Sequence, residues 1–129
     1  MANPTDHEST GRFVDLLFEH IFFTADNMPL VLSTYENDVA ADAEIEINGK
    51  KTTVAEFLDI IKQMHAGFIP KLTNVENLAE RPGVVARVLR FTLTSKVDGT
   101  ISEYASATIV KVEERNGRRV LTGFVEVEK

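Results

Sequence analysis

Residues 84–127 read VVARVLRFTLTSKVDGTISEYASATIVKVEERNGRRVLTGFVEV, and this stretch decides the fold. Three runs of strand-forming residues cover 84–96, 101–113 and 120–127. Asp98-Gly99 and Asn116-Gly117 separate the runs, and such dipeptides favour the tight turns of β-hairpins because they tolerate positive φ. The stretch therefore predicts three long strands in an antiparallel meander, entered through a turn at Pro82-Gly83.

Two helices are predicted at the beginning of the chain. Ser9 or Thr10 can cap the first helix, because their hydroxyl groups accept hydrogen bonds from free backbone N–H groups. Apolar side chains then recur at helical spacing as far as residue 24. Asp26 or Asn27 can cap a second, short helix that has Pro29 in its first turn.

A strand and a third helix follow. Residues 39–47 alternate between apolar and acidic side chains from residue 41 onwards, which is typical of a half-buried strand. Asn48-Gly49 predicts a tight turn after it. Thr53 and Glu56 have the spacing of a capping box, and the helix that they begin should end near Gly67. We expect only a short extended segment within residues 68–80.

This order of elements predicts an α+β fold, with the helices packed on one face of the sheet. A chain of 129 residues fits one domain. We expect residues 1–8 to form a flexible leader and residues 9–129 to form the domain.

Composition excludes several kinds of protein. The chain has no cysteine, so disulfides and thiolate chemistry are excluded. A net charge of −6 argues against nucleic acid as a partner. No apolar run is long enough for a membrane span and no secretory signal is evident, so we expect a cytoplasmic protein. The three histidines lack metal-ligand spacing, and no cofactor fingerprint occurs, so we expect neither a metal nor a cofactor.

Three stretches resemble the nuclear transport factor 2-like superfamily: LSTYENDV at 32–39, IEINGKKTTVAEF at 45–57 and ATIVKVEERNG at 107–117. The superfamily includes SnoaL-like polyketide cyclases and ketosteroid isomerase. The resemblance implies a bent sheet, a cone-like half barrel closed by three helices, around an apolar cavity. It also implies cofactor-independent isomerase or lyase chemistry and a homodimer through the outer sheet face.

The acids that this resemblance would supply are missing. The aspartate base of ketosteroid isomerase-like members aligns with Ala43, and a second acidic position aligns with Thr108. The tyrosine on the first helix of the isomerases falls near Glu19 or His20. These departures argue against ketosteroid isomerase chemistry by that route.

Strand alternation predicts which side chains face the cavity. If Thr108 points inward, then the inward set is Val39, Ala41, Ala43, Ile45, Ile47, Ser102, Tyr104, Ser106, Val110, Val112, Leu121, Gly123, Val125 and Val127. We expect a ligand to contact Ala41, Ala43, Ser106, Thr108 and Gly123, because small and hydroxyl-bearing residues leave space and offer hydrogen bonds. Alternatively, these small residues pack tightly under the helices and leave no cavity.

His20 and Tyr104 are the candidate catalytic residues. An imidazole can act as an acid or a base near neutral pH, and a tyrosine hydroxyl can donate a hydrogen bond to a ligand carbonyl. His20 could instead donate to a backbone carbonyl, and Tyr104 could simply pack at a rim. Arg87 lies on the inward face, where it could contact a ligand, or it lies at the exposed end of its strand.

Two functions remain open. One is a small isomerase, cyclase or dehydratase acting on a hydrophobic, oxygenated metabolite that is polyketide-, steroid- or terpenoid-like. The other is a non-catalytic ligand-binding or dimerisation module. The second face of the sheet is apolar and has no helix left to cover it, which predicts a homodimer through that face. Its predicted members are Ala86, Val88, Thr92, Ala105, Ala107, Ile109, Thr122 and Phe124.

Overall fold

A computed structural model describes residues 9–128 of the chain, so the predicted leader lies outside the described residues. Within this range the helices are α1 (Thr10–Ile21), α2 (Met28–Asp38) and α3 (Val54–Gly67). The predicted caps are confirmed: Ser9 accepts from the backbone N–H of Arg12, and Asn27 accepts from that of Leu30. Thr53 and Glu56 form both hydrogen bonds of the capping box. Helix α1 ends at Ile21, three residues earlier than the apolar spacing predicts.

The strands within residues 9–128 form one six-stranded sheet in the order β2-β1-β6-β5-β4-β3. Their bounds are β1 (Val39–Ile47), β2 (Lys50–Thr52), β3 (Phe68–Arg81), β4 (Val84–Ser95), β5 (Ile101–Arg115) and β6 (Arg118–Glu128). The meander is confirmed as β4, β5 and β6. Two features differ from expectation: β2 is an additional short strand, and β3 is a strand of 14 residues rather than a short extended segment.

Strand β1 joins the sheet beside the last strand, β6, and runs parallel to it. The other neighbouring strands of the described sheet are antiparallel. The β1–β2 turn is tight because Asn48 and Gly49 both adopt positive φ, of 51° and 81°. This arrangement brings the turn to the end of β6, where the backbone N–H of Asn48 donates to the carbonyl of Glu126.

The hydrophobic core lies on one face of the sheet, beneath the helices. Leu17 and Ile21 of α1 and Phe57 and Ile61 of α3 are buried there. They pack against buried side chains of the central strands: Val85, Leu89, Val110, Val112, Leu121 and Phe124. Three helices followed by a curved, unclosed sheet give the expected α+β fold.

A bulge in β6 changes which side chains face the core. Lys111 of β5 pairs with Gly123, but Val112 pairs with Leu121, so Thr122 is one extra residue on β6. An extra residue reverses the alternation beyond it. Leu121 therefore faces the helices as predicted, but the even-numbered residues face them from Phe124 onwards.

The bulge corrects the predicted inward and outward sets on β6. Phe124, which we expected on the outer face, is 1% exposed and stacks on Phe57, with ring centroids 5.1 Å apart. Gly123, Val125 and Val127 were expected inward and lie on the opposite face instead. Val127 is 52% exposed, and an alanine Cβ at Gly123 would contact the side chain of Lys111, which is itself exposed.

Candidate functional site

A cavity of about 300 Å³ lies on the concave side of the sheet, between the sheet, α3 and the segment that follows α1. Its walls are largely apolar and aromatic: Phe22, Phe23, Ile47, Phe57, Ile60, Ile61, Met64, Leu89, Phe91 and Leu93. Four side chains add polar atoms: Tyr104, Ser106, Glu126 and Glu128. An apolar enclosure with few polar groups is the usual form of a small-molecule site.

Aromatic contacts hold the walls in place. Phe22 contacts Phe57 at 5.9 Å between ring centroids, and Phe91 stacks on Tyr104 at 5.6 Å with 17° between the ring planes. Phe22 follows directly after α1, whose end is held against α3 by a 2.7 Å hydrogen bond between His65 Nε2 and the carbonyl of Ile21. Such contacts add stability beyond burial and restrict ring motion, so the cavity presents flat, fixed aromatic surfaces.

Glu126 is the central polar group of the cavity. Burial, and to a smaller extent the neighbouring charge of Glu128, raises the pKa of its carboxyl from the usual 4.5 to about 7. Proximity to Ser106 opposes this shift. Among residues 9–128, no lysine, arginine or histidine lines the cavity to favour the carboxylate. A carboxyl with a pKa near 7 is populated in both protonation states at neutral pH, as a general acid or base requires.

Ser106 supplies a hydroxyl beside this carboxyl. The residue is 0% exposed, and its Oγ has no hydrogen-bond partner of good geometry among the described residues. It nevertheless lies close enough to Glu126 to favour the ionised carboxylate. A buried hydroxyl without a partner is costly, so a polar ligand atom in the cavity would relieve this cost.

The backbone around Glu126 is fixed from both sides. The N–H of Asn48 donates to the carbonyl of Glu126, and the N–H of Glu128 donates to Oδ1 of Asn48, each at 2.8 Å. On the other side, Thr108 of β5 is the strand partner of Glu126. The acid therefore stands on a rigid element between two strands, which suits a site that must hold precise geometry.

Two of the residues predicted from the sequence lie in this cavity. Tyr104 stands at its mouth with 38% of its surface exposed, and Ser106 lies in its interior. His20 is half-buried on α1 and does not line the cavity. Thr108 is buried, and its Oγ1 donates to the carbonyl of Arg87 at 3.4 Å.

The remaining predicted ligand contacts border a different opening. Ala41, Ala43 and Gly123 border a groove of about 530 Å³, together with Ile109 and Lys111. The side chain of Ala43 is buried in the core beneath the helices, on the inward face where we expected it, whereas Ala41 is exposed. Ile109 and Lys111 alternate with the buried residues Thr108 and Val110, so this groove lies on the outer side of the sheet. The groove is larger than the cavity, but its lining is more polar, and its Asp42 is already paired with Arg115 at 2.7 Å. We therefore place the candidate site in the apolar cavity around Glu126.

Arg87 is buried, which corrects the expectation of an exposed strand end. It is 8% exposed and pairs with Asp15 at 2.5 Å and with Glu80 at 3.5 Å. Burial raises the pKa of Asp15, and the charge of Arg87 acts in the opposite direction. Through these two carboxylates, Arg87 joins α1 to strands β3 and β4. It does not line the Glu126 cavity.

Glu126 and Glu128 were not predicted as site residues. Their signal is present in the last strand, where valine and glutamate alternate in VEVE at residues 125–128. Alternation alone shows that the two glutamates share a face, but the bulge at Thr122 decides which face. Regular alternation through β6 places them outside and the neighbouring valines inside.

Metal centres and membrane-spanning helices are the other features considered for residues 9–128. In residues 9–128, no group of three or more histidine, aspartate or glutamate side chains is arranged to hold a metal ion. No helix in the same range is long and apolar enough to cross a bilayer.

Comparison with known proteins supports the fold. No protein-family model and no curated protein matches the chain. Among solved structures, IdmH of Streptomyces antibioticus, a candidate polyketide cyclase, superposes with a TM-score of 0.69 at 16% identity, covering 95% of this chain and 93% of that chain. A candidate calcium/calmodulin-dependent protein kinase II association domain from Xanthomonas campestris superposes with a TM-score of 0.64 at 18% identity. The match covers 100% of this chain and 93% of that chain. A designed nuclear transport factor 2-like protein superposes with a TM-score of 0.57 at 12% identity, covering 92% of this chain and 99% of that chain.

These likenesses concern the fold. At such identities a shared fold carries many different activities, so the chemistry has to be argued from the site itself. The structures also include both an enzyme candidate and an association domain, which are the two kinds of function left open by the sequence.

Proposed function

Because the chain has the nuclear transport factor 2-like fold, we propose that it is a cofactor-independent acid–base enzyme of the isomerase, cyclase or dehydratase type. Its substrate is a hydrophobic, oxygenated metabolite held in the concave cavity. The observation that carries this proposal is the carboxyl of Glu126, which lies in an apolar cavity where no cation among the described residues lines the walls. A carboxyl in such surroundings is a functional-site candidate.

The chemistry assigned to this site is proton transfer next to a carbonyl group. The Glu126 carboxylate takes a proton from the carbon beside the carbonyl. The electron pair of the broken C–H bond forms a C=C bond, and the π pair of the carbonyl group moves onto its oxygen. Ser106 donates a hydrogen bond to the oxygen, where negative charge develops. The protonated Glu126 then returns the proton to a different carbon or to a leaving oxygen. General acid–base catalysis of this kind contributes roughly 10²- to 10⁴-fold in rate.

Two other residues have defined places in this proposal. Tyr104 stands at the mouth and orients the substrate through its ring and hydroxyl. His20 has no role in it, because it lies outside the cavity, and Glu126 takes the acid–base role that we expected of the histidine. The likeness to IdmH supports the proposal, since that protein is a candidate polyketide cyclase with this fold.

Hydrogen–deuterium exchange tests the proposed proton transfer without knowledge of the natural substrate. The probe is 2-tetralone, a bicyclic ketone with acidic C–H bonds, followed by NMR in deuterated buffer. We expect the protein to accelerate exchange and the Glu126→Gln variant to lose about 100-fold or more of the acceleration. Glu44→Gln is the matched control, because Glu44 is an exposed glutamate on the neighbouring strand β1. Equal exchange by the wild type and Glu126→Gln would refute the assignment.

A second candidate function, association through the outer sheet face, rests on a separate observation. Ile109 is 46% exposed there and pairs across the strands with Val125. Val127 is 52% exposed and pairs with Ala107. Contiguous exposed apolar surface commonly marks an interface. We propose that two copies of the chain pack through this face. Light scattering at micromolar concentration should give a dimer mass, and Ile109→Lys should give a monomer. A monomeric wild type would overturn this proposal.

A further inference from the structure

We propose that the Glu126 cavity selects compact, uncharged molecules of about two fused rings that carry one hydrogen-bonding oxygen, and that it rejects carboxylates. This inference deepens the proposed function and rests on it in one respect: it assigns the ligand to the same cavity. It differs from the sequence-based expectation, which included steroid- and polyketide-sized compounds.

The size of the cavity sets the first limit. The cavity volume of about 300 Å³ is at the lower end of the range for ligand pockets, roughly 300 to 1,000 Å³. A compact molecule of about two fused rings can be held within such a space, whereas a four-ring molecule would extend out of its mouth.

The charged groups set the second limit. Strand β6 contributes Glu126 and Glu128, and strand β5 contributes only Tyr104 and Ser106 as polar residues. Within the described chain, the segment after α1, helix α3 and strands β1 and β4 contribute only apolar side chains to the walls. An anionic ligand would be desolvated beside acidic groups without a compensating cation, which is strongly unfavourable.

The hydroxyl of Ser106, which interacts with Glu126 without a hydrogen bond of good geometry, defines the polar feature that a ligand needs. It is fully buried and lines the cavity, so it can donate to one ligand oxygen near Glu126. Around it, the rings of Phe22, Phe57 and Phe91 present flat surfaces. Aromatic surfaces favour offset-stacked or edge-to-face contact with a planar ligand.

A pair of ligands that differ in charge but hardly in shape tests the selection. Titration of the full-length protein with 2-naphthamide and with 2-naphthoate, followed by naphthyl fluorescence, gives both dissociation constants. We expect the amide to bind at least about tenfold more tightly at pH near 8, where Glu126 is ionised. At pH near 5.5 the ligand carboxylate stays charged while Glu126 is protonated, so the preference should narrow.

Variants separate this charge effect from general packing. Glu126→Gln keeps the side-chain shape and removes the charge, so the preference for the amide at pH near 8 should fall to that of the wild type at pH near 5.5. Met64→Ala shortens a side chain in the wall and so enlarges the cavity without altering its charge. It should keep the amide preference but admit a four-ring steroid ketone, which the wild type should bind at least about tenfold more weakly than 2-naphthamide.

Several results would overturn the inference. These are equal binding of the amide and the carboxylate, binding of the steroid ketone as tightly as 2-naphthamide, or tenfold tighter binding of the cation 2-naphthylmethylammonium. Failure of the proposed enzyme function looks different: 2-naphthamide binds with the expected preferences, but the protein does not accelerate exchange of 2-tetralone. Exchange without the expected ligand preferences would overturn only the selection.

Discussion

Replacement of Glu126 by glutamine should make the protein more stable as the pH rises above about 4.5, with the full gain above about pH 7. Burial raises the pKa of this carboxyl from 4.5 to about 7. Each unit of pKa difference between folded and unfolded chains corresponds to about 1.4 kcal/mol, so the shift corresponds to about 3 kcal/mol at most. Because the side chain keeps some contact with solvent, the measured value should lie below this limit.

The sign of the effect follows from which state holds the proton. Below pH 4.5 both states are protonated, and Glu126 contributes nothing to the pH dependence. As the pH rises from about 4.5 to about 7, the unfolded chain ionises while the folded chain keeps its proton, so the folded state loses stability across this window. Above it the loss is complete. Glutamine cannot ionise, so Glu126→Gln escapes the loss.

Thermal unfolding measured by circular dichroism at about pH 4, 6 and 8 checks this prediction. For a chain of this length, 1 kcal/mol shifts Tm by roughly 4 °C. The Tm of Glu126→Gln should therefore exceed that of the wild type by up to about 10 °C at the highest pH and should match it at the lowest. The control variant Glu44→Gln changes an exposed glutamate of β1, so it should show no such pH-dependent difference in Tm.

A Glu126→Gln variant that is no more stable than the wild type at about pH 8, or is equally stabilised at all three pH values, would contradict a raised pKa in the folded protein. The first result would mean that the carboxyl is well solvated or paired in the folded protein. Combined with the exchange assay, the predicted result would show a residue that supports catalysis at the expense of stability.

Three further predictions concern the surroundings of Glu126. Phe124→Ala should cost about 3 to 5 kcal/mol in urea unfolding and Val127→Ala less than about 1, because only Phe124 is in the core; equal costs would contradict the bulge. Asn48→Gly keeps the positive φ but removes the acceptor for the Glu128 N–H, so the end of β6 should loosen and the pKa of Glu126, followed by ¹³C NMR, should fall. The control is Asn116→Gly, in the equivalent turn at the other end of β6, which should leave that pKa unchanged. Ser106→Ala removes the hydroxyl that favours the carboxylate, so the pKa of Glu126 should rise slightly and 2-tetralone exchange should slow; an unchanged exchange rate would exclude Ser106 from the chemistry.

Local sequence signals predicted most of the elements of the fold. The turns at Asp98-Gly99 and Asn116-Gly117 and the capping box at Thr53 act within a few residues, so their effects can be read directly from the chain. The inward face of β5, including Tyr104 and Ser106, was also predictable, because β5 is regular from residue 101 to the bulge opposite Val112. These two residues are the part of the candidate site that the sequence identified.

Longer-range features were not predictable in the same way. Strand β1 lies parallel to β6, a pairing between segments about 80 residues apart, and no local pattern specifies such a partner. The prediction for His20 failed for a similar reason. Helical spacing places this residue among apolar side chains, but the position of the cavity depends on how α1 and α3 pack on the sheet, and His20 does not line it.

The order of helices and strands, the turns and caps, and one wall of the cavity follow from the conformational preferences of neighbouring residues, so they can be read from the chain. That Glu126 faces the cavity depends on the tertiary structure. One extra residue at Thr122 reverses the alternation of β6 and turns the glutamates inward. Enclosure by the aromatic walls then desolvates the carboxyl, and this burial, rather than residue type or spacing, brings its pKa to about 7.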